Sequence, residues 1–103
     1  MTKPQGIEFL TIIAARKYED EILKMLVEEK GHLINVVYAK GSVPSGYFRD
    51  MLGLVQEEKK VMITCLVTSD VSAQVFEQLL TKFEFAKPNT GIAFAVPVDM
   101  LSV

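Results

Sequence analysis

Four short runs of almost unbroken apolar residues constrain this chain more than any other feature. Residues 6–15 read GIEFLTIIAA, 33–39 LINVVYA, 61–67 VMITCLV and 92–98 IAFAVPV. Each is too short for a comfortable helix and rich in β-branched or aromatic side chains, which predicts four strands. The first and third are apolar at odd and even positions alike, so both of their faces must be covered. Between the first two runs, Tyr18, Ile22, Met25 and Leu26 recur at helical spacing over 17–30, with Glu19, Asp20 and Glu21 in the first turn and Gly31 as the stop. After the third run, Ser69 and Asp70 offer capping oxygens to a second helix. Its stripe is Val71, Val75, Phe76, Leu79, Leu80 and Phe83, and Pro88 and Gly91 mark the loop beyond it.

The order is therefore β-α-β-β-α-β. Two such units with right-handed crossovers interleave most simply as a ferredoxin-like α+β sandwich, a four-stranded antiparallel sheet in the order 4-1-3-2 with two helices on one face. This puts the two most uniformly apolar strands in the centre. It also puts Pro97, which cannot donate to a ladder, on an edge strand. Leu10, Ile12 and Ala14 occupy one face of the first strand and Ile7, Phe9 and Ile13 the other, so the face without helices is also apolar, and an apolar area of that size predicts a homo-oligomer packed through its open sheet faces.

With 103 residues, half of them apolar, the chain has room for one domain, 1–103, and is not a disordered tail. Eleven Lys and Arg against 13 Asp and Glu give a net charge of −2 without a basic stripe, which disfavours nucleic acid as a partner. The single cysteine, Cys65, cannot form an internal disulfide, and no signal-peptide pattern opens the chain, so a reducing cytoplasm is expected. No run approaches the roughly 18 apolar residues of a membrane span, so direct membrane insertion is not expected.

Catalytic constellations are scarce. His32, the only histidine, follows Gly31 and reads as a carbonyl cap or a solvent-facing residue; Cys65 reads as a small buried hydrophobe. One His and one Cys do not make a tetrahedral zinc site, and Glu57, Glu58, Lys59 and Lys60 read as a solvated turn. GSVPSGYFR, residues 41–49, faintly resembles the phosphate loop of acylphosphatases. In that family, however, the loop joins the first strand to the first helix. No catalytic residue is assigned.

The connection over 40–60 (KGSVPSGYFRDMLGLVQEEKK) is far longer than a hairpin needs, and long loops are commonly functional. Tyr47, Phe48, Met51, Leu52 and Val55 fall at helical spacing, with Ser45 as a cap and Gly53 as a break, which predicts a short helix. Tyr47, Phe48, Arg49, Met51 and Leu52 are the candidate partner-contacting residues.

The element order, this long connection and the ending KPNTGIAFAVPVDML together resemble the nitrogen-regulatory P-II signalling superfamily. SGYFRDMLGLVQEEKKV is similar to its short-loop subgroup. The resemblance spans nearly the whole chain. It implies a regulatory protein and not an enzyme: a cytoplasmic homotrimer that requires no cofactor, senses AMP, ADP or ATP in clefts between subunits, and acts on a membrane transporter or metabolic enzyme. By position it implies nucleotide contacts at Ala39, Lys40, Gly41 and Ser42, at the base of the loop, and at Asn89, Thr90 and Gly91 before the last strand, with Lys87 nearby. Typical members carry a lysine after the glycine of this second turn and arginines past the last strand. Ile92 stands at the first place and this chain reads only to Val103, so a ligand with fewer phosphates than ATP, such as AMP or ADP, or no nucleotide at all, is expected. A second architecture-level resemblance is to the copper-tolerance proteins, which implies a metal-binding or scaffolding trimer.

Overall fold

In a computed structural model, the structure describes residues 6–41, 58–87 and 90–102. Strand β1 (Ile7–Ala15) passes through a 3-10 turn (Arg16–Tyr18) into helix α1 (Glu19–Glu28). Strands β2 (His32–Gly41) and β3 (Glu58–Thr68) follow, then helix α2 (Ser69–Thr81) and strand β4 (Gly91–Pro97). The spatial order is β2-β3-β1-β4, all neighbours antiparallel, which is the ferredoxin-like arrangement with β1 and β3 in the centre and Pro97 on an edge strand.

Alternation along the central strands sorts the side chains into two layers. Leu10, Ile12 and Ala14 of β1 and Val61, Ile63, Cys65 and Val67 of β3 point to the helical side. There they form one core with Ile22, Met25 and Leu26 of α1, Val75 and Leu79 of α2, and Phe83. Ala93 and Ala95 of β4 and Ile34 and Val36 of β2 pack against its margins. Fully burying each of the large aliphatic groups contributes about 1.5–3 kcal/mol. Among the described residues no helix lies over the other layer. Register places Val37, Met62, Ile13 and Ile92 in one row across it and Asn35, Thr64, Thr11 and Phe94 in the next, with Leu66, Phe9 and Val96 beyond.

Several boundaries differ from the sequence reading. The first helix is shorter than 17–30, because its opening residues take the 3-10 turn. Its end is closed by Lys30 at φ 64, while Gly31 follows outside the left-handed region. The residue that caps α2 is Thr68, in extended conformation, with Ser69 and Asp70 already helical, and the helix ends at Thr81, well before Pro88. The 40–60 connection is shortened from both ends: Lys40 and Gly41 belong to β2 and pair with Lys59 and Glu58 of β3. Glu58, Lys59 and Lys60 are thus strand, and Lys60 is only 4% exposed, not part of a solvated turn. The short helix expected around Tyr47 and Met51, and Ser42 with it, lie outside the described residues.

Candidate functional site

Both candidate ligand turns lie at one end of the sheet. Ala39 of β2 pairs with Lys60, which on its other side faces Ala15, and Gly91 opens β4 opposite Ala14. The two turns therefore share an end but sit on opposite edges, about 14 Å apart across three strand spacings. No mononucleotide phosphate contacts both from within one chain, whereas a cleft between two copies can bring the β2 edge of one beside the β4 edge of the other.

The first turn is built by β-pairing alone. Ala39, Lys40 and Gly41 continue the β2 ladder, so the structure brings them together with the start of β3. In that ladder Lys40 is in register with Lys59 and Gly41 with Glu58. Lys60, in register with Ala15 and Ala39, shares the open face with Met62, Thr64 and Leu66. Sequence reasoning missed this cation. The signal was present, since the alternation of β3 runs backward through Lys60, but the charged tetrad around it read as a turn.

Beside this turn lies a second polar group with no local sequence signature. The Arg16 guanidinium stacks 4.7 Å from the Tyr38 ring centroid. Hydrogen bonding of the Tyr38 hydroxyl to Glu19, then desolvation and the Glu19 charge, hold its pKa above the ordinary phenol value. Arg16 Nε and Glu19 Oε1 are buried there without a hydrogen-bond partner. The trio ties the start of α1 to the β2 edge.

At the second turn, Thr90 and Gly91 are described and Asn89 is not. Lys87 Nζ donates to Glu84 Oε1 at 3.0 Å, both side chains well exposed, so this lysine is engaged within its own turn. Glu84 itself takes φ 60 where the chain leaves α2. Phe85 is half-buried against the core, and its ring covers the backbone of Gly91. Elsewhere, Cys65 is 1% exposed and burial raises its thiol pKa, so it is a core residue as its strand position implies. His32 is exposed at the start of β2, at the far end of the sheet from both turns. Among the described residues no group of three or more His, Cys, Asp or Glu is placed to hold a metal ion. No helix among them is long and apolar enough to cross a membrane.

Comparison with known proteins decides the family. The family model described as nitrogen regulatory protein P-II matches residues 7–103. The chain belongs to the P-II family. Among solved structures, this P-II chain is similar to CPII from Thiomonas intermedia K12, bound to ADP, AMP and acetate. The TM-score is 0.71 at 16% identity, over 93% of this chain and 89% of that one. It is similar also to a DUF3240 family protein from Shewanella baltica OS155, with TM-score 0.68 at 14% identity over 97% and 98% of the two chains. The periplasmic divalent cation tolerance protein CutA from Archaeoglobus fulgidus shares the fold at TM-score 0.66 and 17% identity, over 93% of this chain and 87% of that one. A search of curated protein sequences returns no significant relative.

Proposed function

We propose that this P-II chain is a non-enzymatic, cytoplasmic signalling protein. It binds an adenine nucleotide, AMP or ADP in preference to ATP, in clefts between the subunits of a homotrimer. It regulates a nitrogen-metabolism or transport partner through the connection between β2 and β3. The observation that carries the reading is that residues 39–41 and 90–91 lie at the same end of the sheet on opposite edges. Such halves complete a site only when copies assemble. The structural likeness to CPII, which is bound to ADP and AMP, supports the choice of ligand class.

Charge favours a short phosphate chain. Ile92 contributes no cation and Lys87 is paired with Glu84, so the positive charge of the cleft falls to the β2 side, where Lys40 and Lys59 are paired strand residues. A nucleotide there touches the base of the connection directly, and a ligand that binds one arrangement of that segment better than another shifts its population. Tyr47, Phe48, Arg49, Met51 and Leu52 are the residues this reading assigns to partner contact.

A thermal-shift screen of AMP, ADP and ATP tests it, because a ligand selective for the folded state raises its melting temperature by mass action, by about 2.7 kcal/mol of stability at a hundredfold excess over Kd. AMP or ADP should shift the transition more than ATP, and limited proteolysis between Gly41 and Glu58 should change with the same ligands. Unchanged melting and unchanged digestion across the panel would remove the sensing role. A second reading follows from the likeness to CutA: a metal-binding or scaffolding trimer. A melting temperature raised by a divalent cation and by no nucleotide would favour it.

A further inference from the structure

We infer that Phe85 is the positioning residue of the second candidate ligand turn, and that Gly91 is glycine in order to admit the Phe85 ring. The inference rests on the nucleotide reading above and adds to it the residue that sets the geometry of one half of the cleft.

A glycine before a strand invites two explanations, a backbone conformation closed to other residues or a close approach by a ligand. The first does not hold, because Gly6 is the only described glycine with positive φ. What Gly91 lacks room for is a side chain. A β-carbon built on it would stand 2.7 Å from two carbons of the Phe85 ring, with the ring tip closer still. The space beside its Cα is thus taken by the protein itself, and a ligand meets this backbone only from another side.

The ring is in turn held by the fold. Glu84 at φ 60 turns the chain out of α2, the Phe85 N–H donates to the Leu79 carbonyl at 2.9 Å, and the side chain packs against the core cluster. Leu79 is fully buried within that cluster. An unbroken line of contact therefore runs from the core through Phe85 to the first residue of β4 and to Thr90 beside it. A binding turn must be held within about 0.5 Å of its productive geometry by packed neighbours, and Phe85 is the neighbour that does so here. Lys87 acts differently: its exposed pair with Glu84 lies within the turn and ties it to nothing outside.

The test measures ADP binding by calorimetry with the full chain, its Phe85→Ala and Phe85→Leu variants, and Gly91→Ala alone and combined with Phe85→Ala. The expected result is that the parent binds ADP and Phe85→Ala binds about tenfold or more weakly while still melting cooperatively. Gly91→Ala should lower the melting temperature of the parent and lower it much less in the Phe85→Ala background, because the clash has gone. If Phe85→Ala fails to fold, Phe85→Leu keeps apolar bulk without the flat ring and should lose about threefold in affinity. Parent-like ADP affinity in whichever of these two variants folds overturns the inference and leaves the nucleotide reading intact. Equal destabilisation by Gly91→Ala in both backgrounds also overturns it. A parent chain that binds no ADP removes the nucleotide reading and this inference together.

Discussion

Lys30 carries the left-handed conformation that ends α1, and glycine stands one position too late to relieve it. The Lys30 N–H donates to the Val27 carbonyl at 3.1 Å and the Gly31 N–H to the Leu26 carbonyl at 2.8 Å, the paired bonds of a Schellman closure with Lys30 at its left-handed position. An L-residue in that conformation costs about 1–2 kcal/mol, part of which glycine returns as unfolded-state entropy. Lys30→Gly should therefore stabilise the fold by about 0.5–1 kcal/mol, seen as a higher urea midpoint at unchanged slope. A lower midpoint would mean that the lysine side chain contributes something its exposed position does not suggest. Gly31 has a different reason to be small, since a β-carbon there would sit 3.3 Å from the Leu26 carbonyl oxygen. The helix stop was legible as a glycine, but the backbone strain fell on its neighbour. No local pattern distinguishes the two.

Elements begin where side chains satisfy their first free amides, and α2 does so through its second residue. The Asp70 carboxylate lies below its ordinary pKa, chiefly because the Thr68 hydroxyl donates to it, and then through its own and the Val71 backbone N–H groups. A folded-state pKa below the unfolded one contributes stability that is present above the ordinary carboxylate range and lost as pH falls through the depressed value. Thr68→Val should move the Asp70 titration back toward that range, and an NMR carboxyl titration would read the change directly. An unmoved titration would transfer the effect to the helix amides alone. The elements themselves were largely readable: strand order followed from two doubly apolar runs and one proline, and both helices from their stripes. Less readable were the ends, where Lys40, Gly41, Glu58 and Lys60 have loop-like chemistry and yet pair as strand. Cross-strand hydrogen bonds, not propensity, extend β2 and β3 there. Equally hidden was the trio of Arg16, Glu19 and Tyr38, whose members meet only because the 3-10 turn and the first residue of α1 reach the β2 edge. Of the candidate site, Ala39, Lys40, Gly41, Thr90 and Gly91 fall at one end of the sheet. Lys60 and Phe85 were not legible as their neighbours, because each meets them only through folding.

At the scale of the whole molecule the open sheet face is the dominant unanswered surface. Phe94 is 47% exposed, Val96 51%, Phe9 41% and Val37 47%, and they share that face with Ile13, Ile92, Met62 and Leu66. Both described helices pack on the opposite face, and these four side chains stay exposed although Thr11 beside them is buried. Assembly through it would bury these side chains and at the same stroke set the β2 edge of one copy near the β4 edge of the next, which links oligomerisation to ligand binding. Phe94→Glu separates the two consequences from folding. Phe94 lies outside the core cluster, so the variant should still melt cooperatively, whereas a carboxylate in a desolvated interface costs several kcal/mol unless paired. Sedimentation should then report a parent trimer at micromolar concentration and a smaller species for Phe94→Glu, with nucleotide affinity falling alongside. A parent that sediments as one subunit would remove the assembly and the shared cleft with it. A variant that stays trimeric would move the interface off this face, and a monomeric variant that binds nucleotide as tightly as the parent would place the whole site within one chain.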